Sequence, residues 1–207
     1  MKQFNNAFRT KLYDTIATIE NNSLVEVVVL VKGSSATYND AHLKWGLLFT
    51  LLSYIFFMFS PIEFDVFTIF LGTILFFFVG LALSWLIQPM QKVFLKKKRL
   101  EKNTEIAARA IFQKGGVRHT EEKIGVLFYV SYFEKQSVIL PDRGAETAVP
   151  QEDWAKMRAE FSAIFTQAET AEALIKMLEN SQAVFAKYIL PVENDINELP
   201  DDLDVDL

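Results

Sequence analysis

Two long apolar runs interrupt the mixture of hydrophobic and polar positions along this chain. Residues 45–60 contain no charged residue, and residues 66–87 form a longer uncharged run. A helix needs about 20 mostly apolar residues to cross the hydrocarbon core of a bilayer. A small soluble domain has too little surface to cover two helices that are apolar on every side. The pattern therefore predicts a transmembrane helical hairpin over 43–88, with helices over about 43–61 and 65–88.

The residues that flank the hairpin predict its orientation. The connecting turn carries Glu63 and Asp65 and no base, whereas residues 92–102 are rich in lysine and arginine. Lysine and arginine stay on the cytoplasmic side of a membrane, and tryptophan rings settle at the interface. We expect Trp45 and Trp85 at the inner interface of a bacterial inner membrane, with both termini cytoplasmic. The basic residues expected at that interface are Lys96, Lys97, Lys98 and Arg99.

Outside the hairpin, helical spacing of apolar residues alternates with β-branched runs. Helices are predicted from Phe4 to about Asn22, over 93–113, over 151–166 and over 169–188; strands are predicted over 23–32, 123–133 and 137–141. The first strand precedes the hairpin and its sheet partners follow it. We therefore predict one discontinuous α/β domain from 1–40 and 92–190. Its architecture is an α/β/α sandwich with a small mixed sheet.

Composition narrows the function classes. Much of the net charge of −5 comes from residues 191–207, which hold seven acids and no bases and are predicted to be a mobile tail. The remaining body is close to neutral, so no nucleic-acid partner is expected. With no cysteine, the chain has no disulfide and no thiol catalysis. The apolar runs contain no ionisable residue, which favours an anchor or a packing surface over a transport path. Gly80 and Ser84 form one small-xxx-small step for close helix packing.

Two short segments are candidate ligand sites. Asp142-Arg143-Gly144 follows the third predicted strand, where Asp142 could hold a cation and Arg143 an anion. The alternative is a structural turn in which Asp142 accepts backbone hydrogen bonds. His119 and Thr120 precede the second strand as a looser candidate, with a structural role as the alternative. No spacing of ligands indicates a metal site, and no catalytic motif is present.

Segments 117–134, 138–144 and 149–154 together resemble the TPM-domain family. The resemblance extends over about 1–40 and 100–190, and it implies a small α/β/α domain. Acid-phosphatase activity and calcium binding have been attributed to plant relatives, so the resemblance makes both of them candidate properties of this chain. Bacterial members are often encoded beside LemA-like membrane proteins. This sequence departs from the family's pattern because its anchor lies inside the domain and its charges place that domain in the cytoplasm.

These observations predict a membrane-anchored, non-enzymatic scaffold or accessory subunit. Its partners would be the lipid bilayer and another integral membrane protein, either LemA-like or a second TPM protein. No cofactor is predicted, and calcium enters only through the family resemblance. The alternative is a metal-dependent, phosphatase-like hydrolase with Asp142 as a metal ligand.

Overall fold

The computed structural model describes residues 3–115, 117 and 123–191. Packing contacts divide the chain into two compact units, Met1–Ser35 with Glu101–Leu207, and Ala36–Leu100. His119, Thr120 and the acidic residues 192–207 lie outside the described residues, so the interpretations given for them remain predictions.

The first unit is built on a three-stranded mixed sheet. Its strands are β1 (Glu26–Lys32), β2 (Gly125–Ser131) and β3 (Gln136–Pro141), in the order β1-β2-β3. Strand β1 runs parallel to β2, with Val29 opposite Phe128 and Lys32 opposite Ser131. Strand β3 returns antiparallel to β2. Because β1 and β2 are parallel, the residues that follow Lys32 and Ser131 meet at one edge of the sheet.

Helices cover both faces of this sheet. They are α1 (Asn6–Asn22), α5 (Lys97–Lys114), α6 (Arg143–Ala148), α7 (Gln151–Ala163) and α8 (Thr170–Tyr188), with a 3₁₀ turn at Ile164–Thr166. Every residue of β2 is buried, as expected for a central strand covered on two sides. Its residues alternate between two clusters: Phe128 packs with α1, α7 and α8, whereas Leu127 and Tyr129 pack with α5. The predicted α/β/α fold class with a small mixed sheet is confirmed.

The second unit contains the apolar hairpin. Helices α2 (Asn39–Phe59) and α3 (Val66–Leu86) each have 21 residues and are long and apolar enough to cross a membrane. Asp65 caps α3 by accepting hydrogen bonds from the Phe67 and Thr68 N–H groups, at 2.9 and 3.0 Å. Helix α4 (Gln88–Val93) follows α3.

Small residues form the seam between α2 and α3. A methyl group at Gly80 would lie 2.7 Å from the carbonyl oxygen of Trp45, and one at Gly46 would lie 2.7 Å from the ring of Phe77. Ser84, the second residue of the predicted step, is fully buried. Only glycine permits the backbone approach seen at Gly80, so the pair depends on this sequence step.

One predicted helix differs from the structure. The apolar spacing predicts a continuous helix over 93–113, but α4 ends at Val93 and α5 begins at Lys97. Leu95, between them, is buried. The short non-helical link between the two helices allows the Leu95 side chain to be buried. The periodicity of apolar residues does not predict this break in the helix.

Candidate functional site

A buried carboxylate lies where the carboxyl ends of β1 and β2 meet. Glu134 is 3% exposed. Its Oε1 accepts hydrogen bonds from the Ser34 hydroxyl at 3.1 Å and from the Ser35 N–H at 2.9 Å. Its Oε2 accepts from the Ser131 hydroxyl at 2.5 Å. Removing an ionised carboxylate from water is costly unless hydrogen bonds compensate it, and these three donors supply that compensation.

The donors belong to a directed relay that ends on Glu134. The Ser35 hydroxyl donates to Ser131 Oγ at 2.7 Å, and Ser131 donates onward to the carboxylate. Because the Ser35 hydroxyl uses its proton in the bond to Ser131, the Tyr129 hydroxyl, 2.9 Å away, is the donor to Ser35 Oγ. Burial raises the pKa of Tyr129, and the charge of Glu134 acts in the same direction. The Tyr129 hydroxyl therefore stays protonated and continues to donate to Ser35 Oγ.

This relay clamps the loop after β1 to the turn after β2. The Tyr132 and Phe133 N–H groups add backbone bonds to the carbonyls of Lys32 and Gly33, both 2.9 Å long. The loop also forms one wall of a groove, which α5 closes on the other side. In open α/β sheets, ligands bind beyond the carboxyl ends of the strands. The cluster of Ser34, Ser35, Tyr129, Ser131 and Glu134, called the serine–glutamate cluster below, is therefore the candidate functional site.

Asp142 lies at the opposite end of β2. Its N–H donates to the carbonyl of Gly125, the first residue of that strand, at 2.7 Å. A seven-residue strand spans about 20 Å, so Asp142 and Glu134 do not share a site. The Asp142 Oδ1 accepts from the Arg143 N–H at 2.7 Å, as the turn interpretation predicts, but the chain then enters helix α6 instead of a turn. The side chain of Arg143 is exposed.

Among residues 3–115, 117 and 123–191, the surroundings of Asp142 do not form a calcium site. Its Oδ2 is buried without a hydrogen-bond partner, which leaves one oxygen available. Calcium takes six to eight oxygen ligands. Within the described residues, no group of three or more His, Asp or Glu side chains is placed to hold a metal ion. Within the described residues, the unpartnered Oδ2 of Asp142 is therefore not part of a group of metal ligands.

The residues predicted to lie at a membrane interface occupy the second unit. The Trp45 indole N–H donates to the carbonyl of Met90 at 2.6 Å, whereas the ring of Trp85 is exposed. Lys96, Lys97 and Lys98 are exposed. Arg99 forms a two-pronged ion pair with Asp40, at 2.7 and 2.8 Å, and stacks over the ring of Tyr38. Arg99 therefore joins two segments within the second unit, a role that charge counting does not predict.

The sequence pattern did not reveal the serine–glutamate cluster. Ser34 and Ser35 follow the first predicted strand, Glu134 lies between the second and the third, and nothing local connects the two segments. One available indication was that both segments directly follow strongly apolar strands. Using it required knowing that β1 and β2 are parallel neighbours, which the sequence pattern does not state.

Comparison with known proteins agrees with the fold. A family model for the TPM domain matches residues 90–184. The chain is also similar to the NMR structure of the BA42 protein from the psychrophilic bacterium Bizionia argentinensis. The likeness covers 96% of this chain and 92% of that chain, with a TM-score of 0.57 and 19% identity, and at that identity it concerns the fold alone. No curated protein matches the chain. The resemblance drawn from the strand and turn motifs is confirmed: residues 90–184 match the TPM domain.

Proposed function

We propose that this chain is a non-enzymatic accessory protein, anchored in a bacterial inner membrane, whose TPM domain docks onto another integral membrane protein. The main observation behind this proposal is that the apolar side chains of the hairpin are exposed. Only 11% of the apolar window in α2 and 6% of that in α3 are buried inside the protein. The core helices of a soluble domain would be covered, so these surfaces need lipid or a membrane partner around them.

The outer faces of the hairpin support this proposal. Phe59, Val66 and Phe67 are between 67 and 84% exposed beside the connecting turn. The seam between α2 and α3 is closed by small residues, so each helix already has one neighbour. Lipid tails accept the remaining apolar surface without any polar group to satisfy.

We predict that the hairpin turn faces the periplasm and the TPM domain faces the cytoplasm. The chain has no native cysteine, so single cysteines at Glu63 and Ala148 report on two locations without background. A membrane-impermeant maleimide added to intact spheroplasts should label Glu63→Cys strongly and Ala148→Cys only after lysis, because the basic residues hold the domain inside. Labelling of Ala148→Cys in intact spheroplasts would contradict the orientation.

Two grooves beside α8 support a docking role. Each has a volume of about 530 Å³, one against the α7 side and one against α1, and both are lined by Glu169 and Glu172. Both glutamates are exposed. The shared pair places negative charge along both sides of the start of α8, which suits a basic segment of a partner.

The docking proposal is tested by purification from native membranes in mild detergent. We expect a stoichiometric integral membrane partner to co-purify with the chain. The double substitution Glu169→Gln and Glu172→Gln should reduce its recovery several-fold, because it removes the charges shared by the two grooves. Glu179→Gln, an exposed change elsewhere on α8, is the matched control. A clean monomer without a partner would contradict the proposal.

A hydrolase is the second candidate, and the buried, unpartnered Oδ2 of Asp142 is the observation that favours it. A carboxylate oxygen with no protein donor retains its lone pairs, with which it could coordinate a metal ion. Purified full-length chain is assayed against a phosphomonoester, with and without added calcium. Hydrolysis that Asp142→Ala abolishes and Asp153→Ala leaves unchanged would establish the enzyme. Activity equal in wild type and Asp142→Ala would exclude a role for this residue.

A further inference from the structure

Strand β3 has a neighbouring strand on one side only, among the strands of the described residues. On that side, the Asp142 N–H donates to the carbonyl of Gly125, which lies directly opposite it in the register of β2 and β3. Along an antiparallel pair, hydrogen-bonded positions alternate with positions that are not bonded to the neighbour. Every second residue back from Asp142 therefore bonds to β2. Ser137 and Ile139 alternate with those residues, so their N–H and carbonyl groups point away from the sheet.

The two outer edges of the sheet differ in how their backbone groups are satisfied. At the edge of β1, the Val27 N–H donates to the side chain of Glu20, on α1, at 3.0 Å. At the edge of β3, no group in the described part of the chain accepts a hydrogen bond from the N–H of Ser137 or Ile139. A strand edge with unpaired backbone groups is a template for another strand. Strand β3 therefore offers donors and acceptors to a partner strand.

A groove of about 340 Å³, called the β3 groove below, follows this edge. It is lined by Val138 and Leu140, which pack with the cluster on the α5 side of the sheet. It is also lined by Ile139, which belongs to the core cluster on the other side. Residues from both faces of one strand meet at the edge of that strand. The β3 groove therefore leads to the unpaired backbone groups.

Charged side chains of both signs line the β3 groove. Glu105 and Arg109 lie one turn apart on α5, where they form an exposed ion pair of 2.8 Å, and Arg158 is contributed by α7. A partner of a single charge sign would meet like charge on part of this wall, which is unfavourable. A second copy of the chain brings both signs. In an antiparallel arrangement their order is reversed, so Glu105 of one copy meets Arg109 of the other.

We propose that two copies of this chain pair along β3 and form one continuous sheet with three strands from each copy. In an antiparallel arrangement centred on Val138, Ser137 of each copy lies opposite Ile139 of the other. This register pairs both outward N–H groups and both outward carbonyls of each copy. A register centred on Ile139 would place Ser137 opposite Pro141, which has no N–H. The proposal does not rest on the docking function, because it uses β3 and not the grooves beside α8.

Disulfide cross-linking of the full-length chain in membranes tests this register. The chain has no native cysteine. In the dimer, the two copies of residue 138 form a non-hydrogen-bonded pair with Cα atoms about 4.5 Å apart, which a disulfide can span. Val138→Cys should therefore give a covalent dimer when an oxidant is added. Leu140→Cys is the matched control: it lies on the same face, but its two copies would be about 14 Å apart and should not cross-link.

A second measurement uses the wild-type chain in detergent micelles. Light scattering should give a protein mass of two copies, which falls to one copy on dilution. Amide hydrogen exchange at Ser137 and Ile139 should become about tenfold faster on the same dilution, because the bonds between copies are lost. The Leu140 N–H bonds to β2 within one copy, so its exchange rate should not change.

Three results would overturn the proposal. One is the absence of a covalent dimer in Val138→Cys together with a wild-type mass of one copy. Another is equal cross-linking of Val138→Cys and Leu140→Cys, which would indicate random collision. The third is a one-copy mass with slow exchange at Ser137 and Ile139 at every dilution, which would mean that a segment of the same chain covers the edge. Loss of the docking partner would leave these results unchanged, because they are read on the chain alone.

Discussion

Replacing Glu134 by alanine should open the loop after β1 and destabilise its local structure by about 3 kcal/mol. The substitution removes the acceptor for the Ser34 hydroxyl, the Ser35 N–H and the Ser131 hydroxyl. A buried donor left without a partner costs about 1–3 kcal/mol, and water at the groove mouth offsets part of the sum. Amide hydrogen exchange of the full-length chain in detergent should report faster exchange at residues 33–36.

Two variants sharpen this experiment. Glu134→Gln should cost about 1 kcal/mol, because its amide oxygen still accepts two bonds and Ser131 must reverse its hydroxyl. Glu179→Ala removes an exposed glutamate from α8 and should change the exchange rates of the loop very little. If the loop exchanged equally fast in wild type and Glu134→Ala, the cluster would not hold the loop after β1 to the turn after β2.

Placing leucine at Gly80 should force α2 and α3 apart and destabilise the hairpin by about 2 kcal/mol. The first carbon of the new side chain would lie 2.7 Å from the Trp45 carbonyl oxygen and 2.8 Å from Phe49. The carbonyl belongs to the helix backbone and cannot rotate away, and overpacking of this kind costs about 1–3 kcal/mol. Unfolding in mixed micelles of increasing dodecyl sulfate fraction, followed by tryptophan fluorescence, measures the loss.

Gly72→Leu provides the matched control on the same helix. The first carbon of its side chain would meet the ring of Phe57, at 2.5 Å. A ring at the far end of a side chain can swing aside into the surrounding apolar medium, so a smaller effect is expected. Equal losses in Gly80→Leu and Gly72→Leu would mean that the seam does not depend on backbone contact at Gly80.

Local pattern predicted most helices and strands. Trp154, Met157, Phe161 and Ile164 recur at helical spacing, and all four are buried. The run from Val126 to Val130 is apolar throughout, and it forms the central strand of the sheet. In both cases burial repeats with the geometry of the element itself, so sequence spacing carries the information.

The link at 94–96 shows the limit of that approach. Apolar residues on either side of it fit one continuous helical stripe, yet α4 and α5 are separate helices. The ion pair between Arg99 and Asp40 joins residues 59 positions apart. Such contacts depend on how two helices pack, and no local spacing encodes them.

The candidate site could not be predicted from the sequence for the same reason. Asp142 stood out in sequence because it precedes an arginine and a glycine, but its position at the amino end of β2 separates it from the groove. Glu134 looked like an ordinary turn residue. Its burial and its three donors arise only because β1, which precedes the apolar hairpin, lies beside β2, which follows it.

The sequence by itself determined the two apolar helices, the charge asymmetry around them, the order of helices and strands, and the likeness to the TPM domain. The helices, the charge asymmetry and the order of elements follow from composition and periodicity, and the likeness follows from short sequence motifs; all of these are local properties of the chain. Only the tertiary structure decided that the ends of β1 and β2 form one polar cluster, that Gly80 contacts the backbone of α2, and that Asp142 is remote. Those outcomes depend on strand direction and helix packing, which bring together residues about 100 positions apart.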